Sequence, residues 1–130
     1  MESLSAPGDD RSIADDEQLY RGILPDDLAG GRISSTAFKV RPGDHVSVDR
    51  GSLCSPCDTL RRLPKSVGVG QIIAGAARST PCVAGVAPDP QEDNPAHALI
   101  LRDRSVGNSQ WAKAARQLAL ACSWAISPPP

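Results

Sequence analysis

A chain of 130 residues, 40% of them apolar and with a formal net charge of -1, is one domain's worth of polypeptide and little more. No apolar run approaches the roughly 20 residues of a membrane-spanning helix. The balanced charge and an aromatic stock of only Tyr20, Phe38, Trp111 and Trp124 argue against a nucleic-acid binder, and four cysteines are too sparse for a disulfide scaffold.

In chain order, residues 1–16 carry Glu2, Asp9, Asp10, Asp15 and Asp16 against the single base Arg11. Such a segment buries too little apolar surface to offset its ordering entropy, so a disordered acidic tail is expected there. Gln18 to Ile23 reads as a strand with Leu19, Arg21 and Ile23 on one side and Tyr20 on the other. Pro25-Asp26-Asp27 and Gly30-Gly31 break it. Ser34 to Val40 is ambiguous, with Phe38 and Val40 anchoring it. After the turn Pro42-Gly43-Asp44, His45 to Arg50 alternates as a half-buried strand. Ser55 is placed as an N-cap, Pro56 at the first helical position and Asp58 in the first turn, so a short helix follows to Leu63, before Pro64.

Val67 to Ile73 reads as a second apolar strand, Ala74 to Arg78 as one helical turn, and Cys82 to Val86 as a short strand. Ala96 to Leu101 is apolar on both faces, with His97, Leu99 and Leu101 opposed to Ala98 and Ile100, the pattern of an inner strand. The best-supported element is a closing helix capped by Asn108 or Ser109, with Trp111, Ala115, Leu118, Cys122 and Ile126 on one stripe. Trp111 and Trp124 are expected to supply much of the core's bulk. The order of elements predicts an α+β fold (or a small α/β one): a single sheet of about four or five strands over residues 17–126, packed by the C-terminal helix and one or two short ones, with a proline-rich tail at 127–130.

The sharpest chemical signal is Cys54-Ser55-Pro56-Cys57, after a strand and opening a helix, where a helix N-terminus stabilises a thiolate. The stretch Val48 to Cys57 resembles the active-site segment of thioredoxins, which implies thiol–disulfide exchange with Cys54 as nucleophile and Cys57 as resolving thiol. No tryptophan precedes Cys54, and Pro64 breaks the helix that thioredoxins continue. Cys54 and Cys57 could also form half of a zinc site, completed by Cys82, His97, His45 or Cys122, although no second half with compact spacing exists. Without zinc, no cofactor is expected. His97 is the best acid–base candidate, with Arg21 and Arg50 as its partners in a small acid–base or transferase site.

Four blocks in order, Glu17-Gln18-Leu19-Tyr20-Arg21, Ser34-Ser35-Thr36-Ala37-Phe38, Val46-Ser47-Val48-Asp49-Arg50-Gly51-Ser52-Leu53 and Asp93-Asn94-Pro95-Ala96-His97-Ala98-Leu99-Ile100, resemble a family of small bacterial proteins to which no activity is attached. In that pattern the positions of Cys54 and Cys57 are usually threonine, proline or acidic. The resemblance turns attention to Tyr20, Arg21, Asp49, Arg50, Asn94 and His97 as binding candidates. The expectation is a bacterial, cytoplasmic interaction or accessory module rather than an enzyme. Its expected partner is another protein, encoded nearby, and neither a membrane nor a nucleic acid. The two alternatives are the dithiol oxidoreductase and the acid–base site.

Overall fold

A computed structural model describes residues 8–130. The chain folds as an α+β domain on one six-stranded antiparallel sheet plus a two-stranded ribbon. Its strands are β1 (Gln18–Ile23), β2 (Leu28–Ala29), β3 (Arg32–Ile33), β4 (Val46–Arg50), β5 (Gly68–Ile73), β6 (Val83–Pro88), β7 (His97–Arg102) and β8 (Ser123–Ile126). Its helices are α1 (Pro56–Arg62), α2 (Ala74–Arg78) and α3 (Asn108–Ala121). The sheet order is β6-β7-β4-β1-β5-β8, so β7 is an inner strand, as its two apolar faces predict.

Side-chain alternation sorts the sheet into two faces. Leu19 and Ile23, Val46 and Val48, Ile72, and Ala98 and Ile100 point to one face. There they meet Trp111, Ala115 and Leu118 of α3 in a single core. Trp111 is 1% exposed, and its indole Nε1 donates to the Phe38 carbonyl at 2.8 Å, fixing α3 to the short 3-10 turn Ser35–Phe38. The Arg102 guanidinium stacks over the same ring and donates to the carbonyls of Val40 and Val106. The other face of the sheet carries α1, which is capped as its sequence predicts: Ser55 Oγ accepts from the Asp58 N–H while Asp58 accepts from the Ser55 N–H.

Four expectations need correction. The sheet has six strands, not four or five, because the closing helix stops at Ala121 and the chain turns into β8 beside β5. Cys122, Trp124 and Ile126 therefore do not lie on the α3 stripe, and Trp124 is half-buried on an edge strand. The residues after β1 are not merely a break: Gly30 and Gly31, at φ of 59° and 79°, turn a small hairpin between β2 and β3. Residues 8–16 are not a free tail, while residues 1–7 of that expected tail lie outside the described residues. Ile13 is 0% exposed within the core, the Asp10 N–H donates to the Val86 carbonyl, and Asp9 accepts from the Val86 N–H and Arg78.

Candidate functional site

Two strands part to form a cleft. β1 and β4 pair only at Leu19–Arg50 and Tyr20–Asp49, with the Gly51 N–H donating to the Gln18 carbonyl just beyond. From there β1 follows β5 to Ile23, while Val46 to Val48 follow β7. Continued, the register would set Gly22 opposite Ser47, but that rung is not closed. Antiparallel partners alternate between bonded and non-bonded pairs, so Gln18, Tyr20 and Gly22 all direct their backbone groups toward β4. The Ser47 carbonyl accepts from Arg21 Nη1 at 2.8 Å, and Arg21 Nε donates to the Ala37 carbonyl at 2.9 Å. The Arg21 guanidinium thus wedges the opening from the α3 side. Burial there pushes its pKa down, with Asp27 and Cys122 acting in the opposite direction.

On the α1 side the opening widens into a cavity of about 380 Å3. Tyr20, Gly22, Ser47, Asp49 and His97 form its floor. Thr59, Arg62 and Leu63 of α1 make one wall, and Gln91, Asp93 and Asn94 of the β6–β7 connection make the other. That connection is tight, because Gln91 and Asn94 exchange both backbone hydrogen bonds, each at 3.0 Å.

Asp49 ties floor to walls. It is 6% exposed and accepts three hydrogen bonds: from Thr59 Oγ1 at 2.7 Å, Arg62 Nη1 at 2.8 Å and Asn94 Nδ2 at 2.8 Å. Asn94 Oδ1 in turn accepts from the Ala96 N–H. These bonds hold the carboxylate between α1 and the β6–β7 connection. His97 is oriented by Asp89, whose side-chain Oδ2 and carbonyl lie 3.0 and 3.1 Å from Nδ1, which leaves Nε2 to the cleft. Arg62 is paired with Asp49 and His97 lies against Asp89, while Arg21, held by backbone carbonyls, and Asp93 also line the cavity.

Of the six binding candidates, Tyr20, Arg21, Asp49, Asn94 and His97 line the cavity, although alternation starts the Arg21 side chain from the other face. Arg50 lies outside the cleft altogether. Its guanidinium takes both oxygens of Glu17 at 3.0 Å and the Ser12 carbonyl. Burial alone would raise the Glu17 carboxyl, but the bonds from Arg50 and Ser52 outweigh it and hold the group below its ordinary value. Arg21 and His97 line one cavity, but Arg50 does not, so the three do not form one site. Sequence reasoning missed Thr59, Arg62 and Asp89. The first two stand three apart on one face of α1, a spacing that sequence alone displays.

The cysteines sit differently from both chemical expectations. All four are free thiols, with Cys57 exposed and Cys54 half-buried 3.9 Å from Thr59 Oγ1. Burial pushes the Cys54 pKa up, against the pull of Arg62 and Thr59. An activated nucleophile needs the opposite shift. Cys122 is raised further, to about 12, also by burial. Among the described residues no three His, Cys, Asp or Glu side chains gather where they could hold a metal ion, so Cys54, Cys57, Cys82 and His97 do not assemble the expected zinc set. No helix among these residues is long and apolar enough to cross a membrane. Set against family models, curated proteins and solved structures, the chain finds no match in any of the three.

Proposed function

We propose that this chain is a binding module, an interaction or accessory domain of a bacterial cytoplasmic system, whose site is the cleft between β1, β4 and α1. The observation that carries this reading is the chemistry of the lining. Hydroxyls, amides and the Tyr20 ring line a cavity whose two arginines are already engaged, Arg62 by Asp49 and Arg21 by the carbonyls of Ala37 and Ser47. Such a surface suits a neutral polar ligand, and the volume falls in the small-ligand range of roughly 300–1,000 Å3. A phosphate or carboxylate would have to compete with those bonds for a cation and would face the Asp93 carboxylate in the lining. The test is a titration of the isotopically labelled chain with N-methylacetamide, glucose and inorganic phosphate, followed by amide resonances. A neutral probe should move Tyr20, Asp49 and His97 in a saturable way, while phosphate should not. Response to phosphate alone, or to none of the three, overturns the reading.

One observation favours a second reading. His97 lines the cleft with Nδ1 held by Asp89, the pairing that orients a general base. A base of that kind predicts turnover of an activated ester that His97→Gln abolishes; turnover unchanged in the variant removes it.

A further inference from the structure

We propose that Ser47 is a nucleophile, and that the cleft hydrolyses a short, uncharged carboxylic ester through an acyl-serine. The inference rests on the second reading above, His97 as a general base, and adds the group from which that base takes its proton. Strand register carries it. Alternation puts Ser47 and Asp49 of β4 on the α1 face, where Asp49 stands directly opposite His97 of β7 and Ser47 opposite Leu99. Ser47 and His97 are therefore diagonal neighbours across one strand pair, roughly 7–8 Å apart, a gap that an aromatic side chain can span. Asp89 stands on the other side of His97, just past β6. Its N–H donates to the His97 carbonyl at 2.9 Å, and its carboxylate meets Nδ1 at 3.0 Å. Three adjacent segments thus present a serine, a histidine and a carboxylate, with the imidazole in the middle.

Elimination among the hydroxyls of the lining points to the same serine. Those hydroxyls belong to Tyr20, Ser47 and Thr59. Thr59 Oγ1 is spent on the fold, since it donates to Asp49 at 2.7 Å from a residue 1% exposed. The Tyr20 hydroxyl lies over Gly51, 3.3 Å from where a Cβ on that glycine would sit, at the end of β4 away from Ser47. Ser47 is exposed to the cavity, and its hydroxyl has no hydrogen-bond partner among the described residues; only its carbonyl is used, by Arg21. The cavity of about 380 Å3 admits a small acyl group, and the Asp93 carboxylate in its lining disfavours an anionic one.

In the first step Ser47 Oγ bonds to the ester carbonyl carbon, and its proton passes to His97 Nε2. The carbonyl oxygen takes the negative charge within a lining that holds the guanidinium groups of Arg21 and Arg62. The bond from carbon to the alkoxy oxygen then breaks, and the alcohol leaves with the proton from Nε2. Water, deprotonated by the same nitrogen, adds to the acyl carbon; Ser47 departs with its proton restored and a carboxylic acid is released. Nothing is oxidised or reduced.

The experiment treats the full chain with diisopropyl fluorophosphate, maps the adduct by mass spectrometry, and follows hydrolysis of p-nitrophenyl acetate by the parent, Ser47→Ala and His97→Gln. The adduct should form at Ser47, and roughly tenfold or more slowly in His97→Gln. Hydrolysis should fall roughly a hundredfold to ten-thousandfold in either variant. The Ser47 hydroxyl holds nothing in place, so the thermal midpoint of Ser47→Ala should match the parent and its lost hydrolysis reads on chemistry. Hydrolysis that survives in Ser47→Ala but not in His97→Gln overturns the nucleophile and leaves His97 as the base for a water. Hydrolysis unchanged in His97→Gln, or none in the parent, overturns both. An adduct at any residue but Ser47, or no adduct, overturns the assignment of Ser47.

Discussion

Asp49→Ala should be among the most damaging single changes in this chain outside the apolar core. Asp49 accepts three bonds of 2.7 to 2.8 Å from elements far apart in sequence: Thr59 and Arg62 on α1, and Asn94 in the β6–β7 connection. Thr59 is 1% exposed and Asn94 8%, so removing their acceptor leaves two buried donors unmatched, at about 1–3 kcal/mol each. The Arg62 side chain is 31% exposed and can turn to water, so it adds little. Relief of the carboxylate's own desolvation offsets part of the loss. The net cost should be about 3–5 kcal/mol, against a total of about 5–15 kcal/mol for an ordinary domain. At about 4 °C per kcal/mol for a chain of this size, the thermal midpoint should fall by about 12–20 °C. Asp49→Asn is the sharper control. All three partners donate, so the new amide NH2 must face at least one donor, and roughly half the cost should remain. Urea unfolding with an unchanged slope measures both. A loss under about 0.5 kcal/mol for the alanine variant would show that Asp49 does not hold the cleft together.

Glu17→Gln should cost about 1–2 kcal/mol by weakening the bonds to Arg50 and Ser52. Because the folded pKa of Glu17 lies below its ordinary 4.5, its contribution is complete above that value and is lost as pH falls through the lower folded one. The gap between parent and variant in urea melts should therefore close in acid; a gap that persists there refutes the pair. Iodoacetamide followed by mass spectrometry should label exposed Cys57 first, and Cys54 and Cys122 slowly, since burial raises the pKa of both; Cys54 reacting ahead of Cys57 would restore the oxidoreductase reading. Gly85→Ala forces a Cβ to within 2.3 Å of Asp9 Cβ at a φ of +151°, so it should free residues 8–12 to limited proteolysis. An unchanged digestion pattern would mean that Asp9 does not latch the β6 edge.

Much of the framework was legible because it depends on local chemistry. Ser55, Pro56 and Asp58 define α1 without reference to anything distant. Period-two alternation marks β1, β4 and β7, and the face on which each residue lies follows from it. The end of α3 was not legible. Trp124 and Ile126 fit a helical stripe and equally a two-residue alternation, and four residues are too few to separate the periods. The tail 8–16 was misread because its composition is acidic, whereas its placement depends on Arg78 and Val86, both more than 60 positions away. The cleft was half legible. Asp49, Asn94 and His97 stood out inside matching blocks, but their partners Thr59, Arg62 and Asp89 acquire meaning only when α1 and the β6–β7 connection are folded over the sheet. Arg21 and Arg50 also stood out. Alternation alone could have separated Arg50 from its neighbour Asp49.

Arg21 carries the least expected information. An arginine between Leu19 and Ile23 on a core-facing strand has to find acceptors, and here it finds them in the carbonyls of Ala37 and Ser47. The second of these lies beside the point where the β1–β4 ladder stops. Arg21→Met keeps the length and apolar stem of the side chain and removes the guanidinium. The carbonyls of Ala37 and Ser47 each lose the arginine as donor, so the net loss should be about 1–2 kcal/mol if the strands close over the gap. With the guanidinium gone the strands can close, and the Gly22 amide should exchange with solvent more slowly relative to global unfolding than in the parent. Hydrogen exchange read residue by residue decides the matter. If Gly22 exchanges as fast or faster in Arg21→Met, the strands are held apart by α1 and the Leu63–Ser66 turn instead, and the guanidinium only fills a gap that already exists.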